Sequence, residues 1–265
     1  MGAERALLCA ALLAQARLLG AQDTGPVHDA PYIPSPQITV EEMLRLAQVG
    51  PGDVVYDLGS GDGRVVITAA AQFGARGVGV ERDAVLVAQS RINAERAGVA
   101  ARVRFLQQDL FATGLAEATV VTLYLSPNLN LRLRPALLAL APGTRIVSHS
   151  ADLGDWPPDR KTSIRKDVLL WIVPARVAGR WRAEFGSRRL DLDILQRYQG
   201  ISMQVGGAAT QAWEARLEGE RLSFVLVEKE TAFYVDARVR GDLLEGLVRR
   251  GATGPREAFS AKRGQ

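Results

Sequence analysis

Cysteine is almost absent: Cys9 stands alone, which excludes an intrachain disulfide and a cysteine-based metal site. Histidine is nearly as scarce. His28 and His149 are the two in the chain, and their separation fits no zinc-ligand spacing, so no metal ligands are expected. Charge of one sign never gathers into a run: 33 Lys and Arg face 29 Asp and Glu for a net charge of +4. That scatter argues against a nucleic-acid partner. Long apolar runs are missing too. The stretch Ala6 to Leu13 is too short to span a bilayer, so the mature chain is expected to carry no transmembrane span. What is present is 265 residues, 47% of them hydrophobic, enough for a domain of about 150 residues plus a smaller one.

Arg5, the apolar Ala6 to Leu13, and small residues at Ala14, Ala16, Gly20 and Ala21 have the layout of a secretory signal peptide over residues 1–22. The expectation is an exported, periplasmic protein. The competing reading is a frayed helix on a cytoplasmic one. Residues 22–38 are proline-rich and read as an extended arm. Thr39-Val40-Glu41-Glu42 reads as a capping box opening a helix.

From Val54 onward, apolar runs alternate with helical segments. Strands are expected at Val54 to Leu58, Gly77 to Val80, Val103 to Leu106, Val120 to Leu125 and Thr144 to Ser148, with helices between them. Such alternation implies βαβ units, hence an α/β fold with a Rossmann-like doubly wound parallel sheet over residues 23–174. Ligands in such sheets bind beyond the carboxyl ends of the strands. After Pro174 the pattern changes to short alternating strands with glycine turns, and two segments resemble each other, Ala215 to Gly219 and Ala237 to Gly241. Residues 175–265 are therefore expected to form a small antiparallel β domain.

Asp57-Leu58-Gly59-Ser60-Gly61-Asp62-Gly63 lies between the first strand and a helix. The glycines allow a tight turn and close backbone approach to a ligand, and the helix start offers N–H groups. The spacing is GxGxG, not the GxGxxG of dinucleotide enzymes. Asp57 would repel a pyrophosphate and attract an ammonium group. Glu81 ends the second strand, where an acid can take both ribose hydroxyls. Asp109, followed by Leu110, ends the third, where an acid can accept from an adenine amino group. A nucleoside carrying positive charge and no phosphate fits these acids: S-adenosyl-L-methionine.

These residues resemble the glycine-rich and acidic motifs of the class I, seven-β-strand S-adenosylmethionine-dependent methyltransferases. Tyr32-Ile33-Pro34-Ser35-Pro36, the string DLGSGDGR and Ser126-Pro127-Asn128 are similar to the non-SET protein-lysine methyltransferases. These include the telomeric-silencing-disruptor type and the mitochondrial ATP synthase c-subunit type. The resemblance implies that the Tyr32 arm folds over the cofactor's methionine end. It also implies that Tyr124 to Asn128 lines the methyl-transfer channel, with Ser126, Pro127 and Asn128 against the substrate.

Cofactor contacts are thus expected from Tyr32, Asp57, Gly59, Ser60, Gly61, Asp62, Gly63, Glu81, Asp109 and Leu110. Tyr124 and His149 are the catalytic candidates; His149, at a strand end, is the candidate base, with a solvent-exposed structural histidine as its rival reading. Asp152, Asp155 and Trp156 follow in a loop expected to border the substrate. The methyl acceptor is a protein lysine or, alternatively, a small molecule. A non-catalytic nucleoside-binding protein with a β recognition module is the reading from a different class.

Overall fold

In the computed structural model of the protein, residues 32–206 and 210–264 are described. Cys9, His28 and the candidate export sequence lie outside them. An extended segment from Tyr32 leads into helix α1 (Gln37–Leu46). Thr39 is not its cap. Pro36 occupies that position, and its carbonyl accepts from the N–H groups of Thr39 and Val40 at 2.9 and 3.1 Å. A proline suits a helix start, where a missing donor costs nothing. Thr39 instead lies fully buried beside Val40, Met43 and Leu44, on the face that the helix turns to the core.

The expected alternation follows: β1 (Val54–Leu58), α2 (Arg64–Phe73), β2 (Arg76–Glu81), α3 (Ala84–Arg96), β3 (Val103–Gln107), β4 (Val120–Leu123), α4 (Pro127–Leu138) and β5 (Arg145–His149). Asp83 caps α3 through Val85 and Leu86, and Ser126 caps α4 with Pro127 behind it, both favoured helix starts. A hairpin that the sequence reading did not foresee, β6 (Arg160–Ile164) and β7 (Lys166–Ile172), completes a seven-stranded sheet. The strand order is β3-β2-β1-β4-β5-β7-β6, parallel except for β7, which is antiparallel to both its neighbours.

Alternate residues of β1 face opposite layers. Val55 joins Leu44, Val66 and Ala69 on one side; Tyr56 and Leu58 join Leu133, Trp156 and Trp171 on the other. A strand buried on both faces must be apolar throughout, which leaves the buried Asp57 in β1 needing a reason. The sheet order reverses between β1 and β4, and ligands bind at such switch points.

Residues beyond Pro174 form a separate eight-stranded antiparallel sheet: β8 (Gly179–Phe185), β9 (Arg188–Arg197), β10 (Gly200–Val205), β11 (Thr210–Glu218), β12 (Arg221–Glu228), β13 (Thr231–Arg240), β14 (Leu243–Arg250) and β15 (Arg256–Arg263). β15 returns to pair with β8, and the two end strands of the order, β10 and β11, lie beside each other. The meander therefore curls into a barrel. Its inward positions are apolar, with Trp181, Phe185, Phe224, Phe233 and Phe259 filling the centre, while Arg180, Arg182 and Glu184 point outward. That is the reverse of a lipid-facing barrel. Among the described residues no helix is long and apolar enough to cross a membrane.

Candidate active site

The carboxyl ends of β1, β2 and β4 converge on the glycine loop. Most of its backbone donors are already taken: Gly59 and Ser60 donate to the Val80 carbonyl (2.8 and 2.9 Å), Gly61 to Glu81 Oε2 (3.0 Å) and Gly63 to the Ser60 carbonyl (2.9 Å). The free N–H groups expected from the sequence at the helix start beyond the loop are those of the first turn of α2, where Ile67 is the first residue to donate back, to the Gly63 carbonyl. The glycine loop itself, with most of its donors satisfied, is a poor cradle for phosphate.

Asp57 is buried, and the Thr122 hydroxyl donates to its Oδ1 at 2.7 Å. Burial first, and the charges of Glu81 and Asp62 after it, push this carboxyl up to about 7 against the pull of Thr122. Among the described residues no cation pairs with it. A buried acid left without a counter-charge is expensive unless a ligand supplies one. Glu81 braces the loop; besides Gly61 it accepts from the N–H groups of Arg82 (2.8 Å) and Asp83 (3.0 Å) through Oε1.

The arm closes one wall. The Tyr32 ring lies against the loop so tightly that a Cβ on Gly61 would sit 2.3 Å from its Cε2. The phenol lies near Asp62 and Arg64, and burial followed by the Asp62 charge raises its pKa. Arg64 grips Asp62 through Nε (2.9 Å) and Nη2 (2.7 Å), and its Nη1 donates to the Ser35 carbonyl at 2.8 Å. Although burial opposes it, Arg64 holds the Asp62 carboxyl below its ordinary value.

Opposite stands an aromatic pair. Tyr124, just past β4, stacks on His149 at the end of β5, with centroids 4.1 Å apart and planes at 24°. His149 is buried, not solvent-exposed, and its Nδ1 lies 3.0 Å from the Ser35 hydroxyl. Burial and then the nearby Lys166 charge lower its pKa, so the neutral ring is favoured near neutral pH. A proton-accepting Nε2 requires the tautomer with hydrogen on Nδ1, donating to Ser35. Leu125 touches the glycine loop: a Cβ on Gly59 would meet its Cδ2 at 3.1 Å. Pro127 and Asn128 are exposed on the first turn of α4.

The chain matches the ANTKMT methyltransferase domain family over residues 57–160. It is 42% identical over 134 residues to a protein-lysine N-methyltransferase of Saccharolobus islandicus, covering 50% of this chain and 83% of that protein. The chain belongs to the class I S-adenosylmethionine-dependent methyltransferases. A mouse adenine nucleotide translocase lysine N-methyltransferase is 39% identical over 130 residues, with 48% of this chain and 56% of the mouse protein covered. The crystal structure of an RNA methyltransferase from Salinibacter ruber, in complex with S-adenosyl-L-homocysteine, superposes with a TM-score of 0.54. Its identity is 53%, covering 55% of this chain and 96% of that one.

S-adenosylmethionine is the cofactor of this methyltransferase, and the residues fit it. A buried acid without a counter-charge among the described residues suits a ligand bearing an ammonium and a sulfonium, and a loop whose amides are mostly occupied disfavours phosphate. Among the described residues no cluster of three metal-ligating side chains exists.

The remaining candidates take these places. Trp156 does not border a substrate: it is fully buried, donates from Nε1 to Gln199 Oε1 (2.9 Å) and stacks on Tyr198, so it joins the two sheets. Asp155 turns to the barrel as well, where Arg197 and Tyr198 hold its carboxyl well below the usual range. Asp152 is exposed and accepts from Gly154 N–H at 3.0 Å, shaping its own turn. Asp109 is exposed too and caps a turn over Leu110–Ala112 through the Phe111 N–H (2.8 Å), with Leu110 half-buried. Ser60 Oγ is buried without a partner among the described residues and packs toward Gly79. Sequence reasoning missed Thr122, the bonding roles of Ser35 and Arg64, and Asn130, whose amide holds Ser148, Ala151 and Asp152.

Proposed function

We propose that this methyltransferase transfers the methyl group to the ε-amine of a lysine in a protein. The observation that carries this reading is the Tyr124–His149 stack, over which the ammonium of Lys166 already sits, 5.9 Å from the Tyr124 centroid. Stacked rings favour an ammonium through cation–π attraction, and their apolar faces desolvate it, easing loss of its proton. Relatives named as lysine methyltransferases support the same acceptor.

On this reading Asp57 balances the cofactor's positive charge, Glu81 accepts from the ribose, Asp109 and Leu110 border the adenine, and Tyr32 covers the methionine end. Bound S-adenosylmethionine supplies an electrophilic methyl on a sulfonium that is already a good leaving group. The protein's own task is alignment and exclusion of water. The barrel is assigned to recognition of the protein that carries the lysine.

The name of the Salinibacter structure favours a second reading, RNA as acceptor. Phosphate contacts require unpaired cations near the site. Here Arg64 is committed to Asp62, Arg45 to Glu41 and Lys161 to Asp167, and Lys166, which has no ion pair among the described residues, is held over Tyr124, which favours the lysine. Incubation of a cell lysate with methyl-labelled cofactor separates the two. Label that survives ribonuclease, is lost to protease and hydrolyses to methyllysine is expected; label in a nucleoside would sink the lysine assignment.

A further inference from the structure

Lysine is rare in this chain. Lys161, Lys166, Lys229 and Lys262 are the lysines among its 33 basic residues. Two of the four belong to the β6–β7 hairpin, and one of them, Lys166, directly follows its turn, beside Tyr124 of the candidate site. The hairpin's position is fixed: Arg165 makes a one-residue turn at φ +63, Ile164 pairs with Lys166, and Ser150 N–H donates to the Asp167 carbonyl at 2.7 Å. Register then decides where each lysine goes. Lys161 Nζ pairs with Asp167 Oδ2 at 2.7 Å. Lys166 has no ion pair among the described residues, and its ammonium is held over Tyr124. Tyr124 is followed directly by Leu125, which touches the glycine loop at Gly59. The exposed Lys166 amine therefore lies over the ring that stacks on His149 at the end of β5, one residue from the side chain that touches the cofactor loop.

We propose that Lys166 is itself a methyl acceptor, modified in cis while its amine occupies the place of a substrate lysine over Tyr124. The inference rests on the lysine reading given above. The neutral Nζ lone pair attacks the sulfonium methyl carbon, forming the N–C bond as the S–C bond breaks. The bonding pair stays on sulfur, giving S-adenosylhomocysteine, and the amine releases its proton to solvent. Methylation keeps the positive charge and adds apolar surface, so the side chain stays suited to the aromatic face. The same amine competes with any incoming lysine for that face.

The test uses the full chain with methyl-labelled S-adenosylmethionine, with and without poly-L-lysine as external acceptor, followed by peptide mapping. Label on Lys166 is expected in the wild type and in K161R, is absent in K166R, and appears at a rate independent of protein concentration. A rate that rises with concentration overturns modification in cis. Label on poly-L-lysine with none on Lys166 overturns this proposal and leaves the lysine reading standing; label on neither overturns both. A second readout needs no turnover. With S-adenosylhomocysteine bound, butylammonium is titrated while the Tyr124 ring resonances are followed. Removing the competing amine in K166A should lower the half-saturating concentration severalfold, and an unchanged value would show that Lys166 does not occupy the acceptor's place.

Discussion

The hydroxyl of Ser35 and Nδ1 of His149 lie 3.0 Å apart, both buried, across 114 residues of sequence. This bond ties the arm that carries Tyr32 to the ring that stacks on Tyr124. On the proposed reading the cofactor's cover and the acceptor's platform are thereby one bonded unit, and Arg64 fastens the same serine through its carbonyl.

The two side chains should therefore act as one. Breaking a buried hydrogen bond costs about 1–2 kcal/mol, or roughly five- to thirtyfold in affinity if the arm is released. S35A and H149F, the latter keeping a ring over Tyr124, should each weaken S-adenosylhomocysteine binding by such a factor. Because they sever one bond, the double variant should lose no more than the worse single. Calorimetric titration of all four proteins decides it. Additive losses would mean that Ser35 and His149 work separately.

Asp57 gives a dependence on pH with a definite sign. Its carboxyl is raised from 3.8 to about 7 in the folded protein, chiefly by burial. Between those values the folded state holds a proton that the unfolded state has lost, so stability falls as pH rises through the window, and the full cost remains above it. D57N removes the titration. The variant's gain in melting temperature over wild type should be small near pH 4 and reach its maximum above pH 7. Binding runs the other way: protonating Asp57 removes the counter-charge of a cationic ligand. Wild-type affinity for S-adenosylmethionine should drop as pH falls below about 7, and D57N should bind weakly at every pH. A thermal gain for D57N that shrinks with rising pH would contradict the assignment.

The placement of Asp57 and Glu81 at the carboxyl ends of β1 and β2 was legible in the sequence because it is local: each follows a short apolar run. What the loop amides do was not legible, since their acceptors, Val80 and Glu81, belong to another strand. Ser35 and His149 meet only through the β5–β7 edge of the sheet and the arm, a contact with no sequence period. The β6–β7 hairpin escaped notice because Arg160 to Ile164 is polar and its turn is a single arginine, neither of which resembles a buried strand or a glycine turn. Closure of the meander into a barrel depends on β15 finding β8, a pairing across most of the domain's length.

Trp156 shows how a loop aromatic beside a site can be structural. It is fully buried and its indole N–H is bonded to Gln199 of the barrel segment. W156F keeps an aromatic ring and loses that bond together with some packing, an expected cost of about 1–3 kcal/mol. Affinity for S-adenosylhomocysteine should change less than twofold or so, because the ring is fully buried and bonds and stacks on the barrel segment. Urea unfolding and calorimetric titration on the same preparation check both halves. Unchanged stability with lost binding would return Trp156 to the site.

Gly61 separates two ideas of why the loop needs a glycine. If an added side chain would fill the ligand's space, G61A should harm binding whatever else is changed. The geometry gives a different obstacle: the Cβ would lie 2.3 Å from Cε2 of Tyr32, so the ring must leave its seat. G61A should then weaken S-adenosylhomocysteine binding by an amount close to that of Y32A, and the double variant should bind about as well as Y32A alone. A second cost is independent of the arm. Gly61 has φ +53, a left-handed conformation in which alanine is less stable by about 1–2 kcal/mol, so both variants bearing G61A should unfold at lower urea. The thermodynamic cycle is read from titrations on the wild type, both singles and the double. A further loss of affinity in the double, beyond that of Y32A, would place the ligand itself, and not Tyr32, against the glycine.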